Sequence, residues 1–158
     1  AHRGIVAEAA ALENAVIFGR AAEVATLLKR GVPIAKSRDG INALHMAAVF
    51  RPGAEVVRLL IEARVCMEDR CKPRFGGAFM ILLMFLSIPG YFGRRSWSVN
   101  AARHVSGCTP LGLAVLNVSL TELEVLLDAG ADVHARQARG LNIQGIADLF
   151  GCPLDRLV

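Results

Sequence analysis

The fold is decided by residues 107–114, GCTPLGLA, taken together with residues 125–133, VLLDAGADV. An earlier copy of this arrangement has GINALHMAA at residues 40–48 and LLIEA at residues 59–63. The glycines that open the copies stand at positions 40, 107 and 140, so their spacings are 67 and 33 residues. A recurrence of about 33 residues is typical of repeat proteins, in which each copy is one small structural unit.

Each copy of the repeat predicts a pair of short helices. Thr109 is a good N-terminal cap, and Pro110 suits the first turn of a helix. Leu111 and Ala114 lie on one helix face, and Gly130 is placed to end a second helix in the left-handed conformation. The chain is therefore predicted to be all-α. The predicted helices span residues 9–17, 21–29, 43–49, 54–63, 109–117, 120–128 and 143–150.

These residues resemble the ankyrin repeat, whose pattern combines Thr-Pro-Leu-His, paired alanines, paired leucines and Ala-Gly-Ala-Asp. The resemblance implies one domain, residues 1–158, built as a helix–turn–helix solenoid of about five repeats. The repeats would span approximately residues 8–38, 39–71, 72–104, 105–138 and 139–158, the third degenerate and the last truncated. It also implies an adaptor that binds a protein or peptide through its fingertips and concave face. Gly112 departs from the pattern, because the family has histidine there.

The segment between the two clear copies has an unusual composition. Residues 71–121 contain no Asp or Glu, and residues 75–93 carry no charge. Three interpretations stay open: a degenerate third repeat buried between its neighbours, a segment that inserts the protein in a membrane, or a wrongly translated stretch of the gene. The preserved spacing favours the degenerate repeat, and Pro89 within it predicts weak coupling between the flanking units. The apolar residues of the membrane or buried segment are Phe79, Ile81, Leu82, Leu83, Phe85 and Leu86.

No residue pattern typical of catalysis occurs in the sequence. The four cysteines include no CxxC pair, and there is no phosphate-binding loop, HExxH or GxSxG motif. We therefore expect neither an enzyme nor a metal or cofactor site. By the resemblance, His45 is expected to bind loop backbone. The cysteine usage and the lack of an apolar N-terminal stretch predict a cytoplasmic protein, which we expect to be a monomer.

A basic residue stands four positions before each repeat glycine or before its aligned position. These residues are Lys36, Arg70, Arg103 and Arg136, with Arg38 and Arg139 beside them. Residues one period apart line up along one edge of a solenoid, so we predict a basic row at the fingertips. Such a row suits an acidic or phosphorylated segment of a partner protein, whereas neighbouring acidic residues disfavour nucleic acid. The alternatives are a row that is merely solvated, or binding around Phe50 and Asn117.

Overall fold

A computed structural model of the chain describes residues 2–34, 36, 40–72 and 104–154. These residues form seven α-helices and no strand, which confirms the predicted all-α fold. The helices are α1 (His2–Ile17), α2 (Ala21–Lys29), α3 (Ala43–Phe50), α4 (Ala54–Glu62), α5 (Pro110–Leu116), α6 (Leu120–Asp128) and α7 (Ile143–Phe150). Only α1 departs from its predicted bounds by more than one residue, since it begins at His2 and not at residue 9.

Local signals fix where the helices begin and end. The residues that cap α3, α5 and α7 are Asn42, Thr109 and Asn142. Each of these side chains accepts a hydrogen bond from a backbone N–H in the first turn, which the helix itself would leave unpaired. The left-handed residues after α2, α4 and α6 are Gly31, Arg64 and Gly130. The two helices of a repeat are thus bounded by signals that lie within the repeat.

The helices stack in two rows. Helices α1, α3, α5 and α7 contact one another in that order, and α2, α4 and α6 form the second row. Contacts across the rows join α1 with α2, α3 with α4, and α5 with α6. We call these pairs units A, B and C, and α7 begins unit D. Helix α5 is buried from Pro110 to Leu116, as expected for a helix with a neighbouring unit on each side.

Units B and C are direct neighbours. The Nδ2 group of Asn117, after α5, donates hydrogen bonds to the carbonyls of Ala48 and Val49 in α3, at 3.1 and 2.9 Å. The Ser119 hydroxyl also donates to the Ala48 carbonyl, at 2.9 Å. Because these bonds leave no space for another helix pair, the expectation of a third repeat buried between units B and C is wrong. The direct contact also removes the ground for expecting weak coupling between them.

The described residues that precede and follow residues 73–103 meet at one loop. The Cys71 N–H donates to the carbonyl of Cys108 at 3.0 Å, and the Cys71 carbonyl accepts from the N–H of Gly107 at 2.6 Å. These two bonds join the ends of residues 72–106. The apolar residues Phe79, Ile81, Leu82, Leu83, Phe85 and Leu86 lie outside the described residues. Among the residues that are described, no helix has the length and apolar character needed to span a membrane.

The loop between units C and D is closed in the same way. The Gln137 N–H donates to the carbonyl of Leu141 at 2.6 Å, and the Gln137 carbonyl accepts from the N–H of Gly140 at 3.1 Å. Only residues 138–139 lie between these closing bonds. The closing bonds between units B and C thus enclose thirty-three more residues than those between units C and D, which is one repeat period.

Candidate protein-binding surface

Three loops connect the successive units, and we call them fingers. The first finger spans residues 32–41, the middle finger residues 65–72 with 104–108, and the last finger residues 131–141. An ion pair between Lys36 Nζ and Asp69 Oδ1, at 2.6 Å, joins the first finger to the middle finger. Burial acts to raise the pKa of Asp69, but hydrogen bonds from Lys36 and Asn42 outweigh it and lower this pKa below its ordinary value. The charge of Lys36 is therefore offset within the chain.

Arg70 and Arg136 meet where the middle finger contacts the last finger. A guanidinium N–H of Arg70 donates to the backbone carbonyl of Arg136. Beside them, the carboxylate of Glu68 accepts the backbone N–H of Asp132 at 3.0 Å. Arg139 lies further along the last finger, exposed and in the left-handed conformation at φ 56°. The two fingers are thus held together by bonds that leave arginine side chains at the surface.

The predicted basic row is assembled only in part. Arg38 and Arg103 lie outside the described residues. The exposed residues Arg70, Arg136 and Arg139 form what we call the arginine surface. Lys36 does not continue this surface as an unpaired charge, since its ammonium group is bound to Asp69. The cause is the register, because Lys36 stands one period before Asp69, whereas Arg70 and Arg136 are separated by two whole periods.

In the fingers, the acidic side chains have partners within the chain, whereas the arginines of the arginine surface have no described carboxylate partner. The carboxylate of Asp132 accepts the N–H of His134 at 2.8 Å, and those of Glu68 and Asp69 are engaged as described above. In the described part of the chain, no carboxylate forms an ion pair with any residue of the arginine surface. The arginine surface therefore keeps a positive charge that no neighbouring described group offsets.

His45 links unit B to the base of the middle finger. Its buried ring accepts the Asn42 N–H at Nδ1, at 3.2 Å, and Nε2 lies 3.3 Å from the carbonyl of Cys108. Because that carbonyl can only accept, we place the proton on Nε2. Burial lowers the pKa of His45 to about 4, so the ring is neutral at physiological pH. His45 thus binds loop backbone, which is the role that the resemblance implied.

Unit C replaces this histidine with two residues that the sequence analysis did not connect. Gly112 occupies the position of His45, and a Cβ atom there would overlap the side chain of Gln137. The Oε1 atom of Gln137 accepts the Thr109 N–H at 2.9 Å, just as His45 accepts the N–H of Asn42. The missing histidine was the only sequence signal of this substitution, and it did not indicate which residue would take its place.

The cysteines have the character of packing residues. Cys71, Cys108 and Cys152 are buried, Cys66 is exposed, and none of the four forms a disulfide. Burial raises the pKa of Cys71 to about 12, so its sulfur remains a protonated thiol and a poor nucleophile. Within the residues that the structure covers, no three side chains form a group that could hold a metal ion.

Comparisons with known proteins agree with this architecture. The family profile described as the ankyrin repeat matches residues 39–71, which end at the closing residue of the middle finger. No curated protein matches the chain. A similar solved structure is a predatory endopeptidase from Bdellovibrio bacteriovorus in complex with an immunity protein.

The similarity to that structure has a TM-score of 0.56 at 21% identity, and it covers 92% of this chain and 63% of the other. The chain thus spans less than two thirds of the chain that it matches, and at this identity the likeness shows the fold alone. The profile match identifies unit B, and unit C repeats its helix pair, its side-chain cap and its finger closure. Residues 39–71 thus match the ankyrin-repeat family, and the helix pairs on either side stack on this repeat in an all-α arrangement of the same kind.

Proposed function

We propose that the chain is a non-catalytic, adaptor-like module that binds a partner protein, and that its arginine surface receives an acidic or phosphorylated segment of that partner. The observation that carries this proposal is the unequal satisfaction of charge in the fingers. The carboxylates are bound within the chain, while the arginines have no carboxylate partner among the described residues. A planar guanidinium can donate two parallel hydrogen bonds to a carboxylate or phosphate, so these side chains suit anionic groups along a segment.

The position of the arginine surface supports the proposal. The contacts of Glu68 with Asp132 and of Arg70 with Arg136 cross-link the middle and last fingers, which reduces the entropy lost when a partner binds. The alternative surface around Phe50 and Asn117 is less suited, because the Asn117 amide is already bound to carbonyls of α3.

The ankyrin-repeat match at residues 39–71 and the similar solved structure, which contains a complex of two proteins, support a protein as the partner. We further propose a cytoplasmic monomer, since the four unpaired cysteines suit a reducing compartment. The membrane-associated alternative depends on residues 75–93, which lie outside the described residues, and no described residue favours it.

The test reverses the charge of the arginine surface. Arg70, Arg136 and Arg139 are replaced together by glutamate, and a matched control replaces the exposed residues Lys29, Arg51 and Arg58, which lie outside the fingers. Binding of a fluorescent ten-residue poly-glutamate peptide is measured at two salt concentrations, and a phosphoserine peptide is measured in parallel. We expect the arginine-surface variant to weaken binding at least about tenfold and the control much less, since charges beyond about 8 Å are screened at physiological salt.

The same variants then serve as bait for the native partner. A protein that is captured by the parent chain and the control, but not by the arginine-surface variant, supports the proposal. Equal losses in both variants would mean that the peptide responds only to net charge. Unchanged binding in the arginine-surface variant would place the site elsewhere.

A further inference from the structure

A groove opens between the first and middle fingers. Its volume is about 530 Å³. Leu28, Val32 and Val65 contribute an apolar part of its lining. The polar part consists of Arg64, Cys66, Asn42 and the ion pair of Lys36 with Asp69. The groove therefore offers an aliphatic wall beside a cationic residue, at the junction of units A and B.

The corresponding space between the middle and last fingers is closed by the protein itself. There the carboxylate of Glu68 accepts the backbone N–H of Asp132 at 3.0 Å. Asp132 and Cys66 are equivalent positions, since each is two residues after the left-handed residue that follows its helix, Gly130 or Arg64. The Cys66 N–H is therefore expected to face the first finger as the Asp132 N–H faces the middle finger.

The one carboxylate that lines the groove, that of Asp69, is bound by Lys36 and Asn42 and does not accept the Cys66 N–H. One period before Glu68 the sequence has Ala35, which carries no acceptor in its side chain. No described group accepts a hydrogen bond from the Cys66 N–H, whereas the Cys66 carbonyl accepts from Asn42 Nδ2 at 2.8 Å. The Cys66 carbonyl is thus fixed to the stack, while its N–H has no acceptor among the described residues.

We propose that this groove is a carboxylate subsite, in which a glutamate or aspartate of the partner accepts the Cys66 N–H as Glu68 accepts the Asp132 N–H in the next junction. Arg64 is exposed and has no ion pair among the described residues, so it favours an anion there. The apolar wall contacts the methylene groups of a glutamate side chain. The subsite rests on the proposed function and extends the contact with the partner's acidic segment to the first finger.

The proposal is tested by the amide proton of Cys66 in the full chain labelled with nitrogen-15. The probe is N-acetyl-glutamate N-methylamide, and the neutral control is N-acetyl-glutamine N-methylamide. We expect the glutamate probe to move the Cys66 amide proton downfield along a saturating curve, with a Kd on the order of 10–100 mM for one charge-assisted hydrogen bond. The Asp132 amide, already bound by Glu68, should not respond.

An internal comparison makes the test sharper. In Glu68→Ala the Asp132 N–H loses its carboxylate, so the Asp132 amide should now respond to the glutamate probe as Cys66 does. A silent Cys66 amide, or an equal response to the glutamine probe, would overturn the proposal. In the variant with Arg70→Glu and Arg136→Glu the Cys66 response should persist, so failure of the arginine surface and failure of the groove are distinguishable.

Discussion

The middle and last fingers are closed by the same pair of backbone hydrogen bonds, yet they differ in length by one whole repeat. The middle finger has residues 72–106 between its closing bonds, whereas the last finger has only residues 138–139. The helices on either side of both fingers are nevertheless in contact. Repeat spacing in the sequence therefore does not determine which units are neighbours in space, because an insertion of one period keeps the register of the repeat glycines.

The largest effect is expected when unit C is given the histidine of unit B. Gly112→His should lower the free energy of unfolding by roughly 4 kcal/mol, since the ring overlaps Gln137 and displaces its hydrogen bond to Thr109. Urea denaturation of the variant and the parent measures this loss.

The matched control combines Gly112→His with Gln137→Ala. Most of the lost stability should return, because the imidazole can then accept the Thr109 N–H as His45 accepts that of Asn42 in unit B. Equal losses in the single and double variants would show that Gln137 is not what excludes histidine from unit C.

Because His45 of unit B has no counterpart in unit C, we predict that the free energy of unfolding depends on pH through unit B. Burial lowers the pKa of His45 from 6.5 to about 4, so the unfolded chain binds the additional proton between these values. The neutral ring's contribution of about 3 kcal/mol is fully present above pH 6.5 and is lost as the pH falls toward 4. Urea denaturation at pH 7, 5.5 and 4.5 should show this slope in the parent and not in His45→Gln. Equal slopes in both chains would mean that another group titrates.

The features of the fold that depend on residues close together in the sequence could be predicted. Helix bounds follow from caps such as Asn42 and Thr109, which act within one turn. The placement of residues 72–106 could not be predicted, since an insertion and a repeat of the same length leave identical spacing. Gln137 was missed for a related reason, because its contact with Gly112 joins residues that are distant in the sequence.

The predicted basic row lines up where the period of the repeat holds and departs from a row where the period slips by one residue. Arg70 and Arg136 meet because they are two whole periods apart. Lys36 is thirty-four residues before Arg70 and thirty-three before Asp69, and that offset of one residue brings it to a carboxylate. Which charges are neutralised thus depends on side-chain register, which a count of repeat glycines does not give.

A smaller change in the free energy of unfolding is expected at the left-handed residues that precede the middle and last fingers. Gly130 precedes the last finger, but Arg64 precedes the middle finger at φ 59°. Because this conformation is strained for any residue with a Cβ atom, Arg64→Gly should raise the free energy of unfolding by up to about 1 kcal/mol. The reverse change, Gly130→Arg, should lower it by a similar amount, since no atom lies within 4 Å of a Cβ there. Thermal denaturation showing changes of the same sign would contradict this explanation.

The most direct test of the stacking order shortens the middle finger to the length of the last. Residues 72–106 are replaced by Ala-Arg, the sequence of residues 138–139, and unfolding is followed by circular dichroism in urea. Units B and C are in contact without a third unit between them, and a shorter loop costs less entropy to close. We predict a single cooperative transition and a free energy of unfolding no more than about 1 kcal/mol below that of the parent. Two separate transitions, or loss of cooperative unfolding, would contradict direct stacking of unit B on unit C.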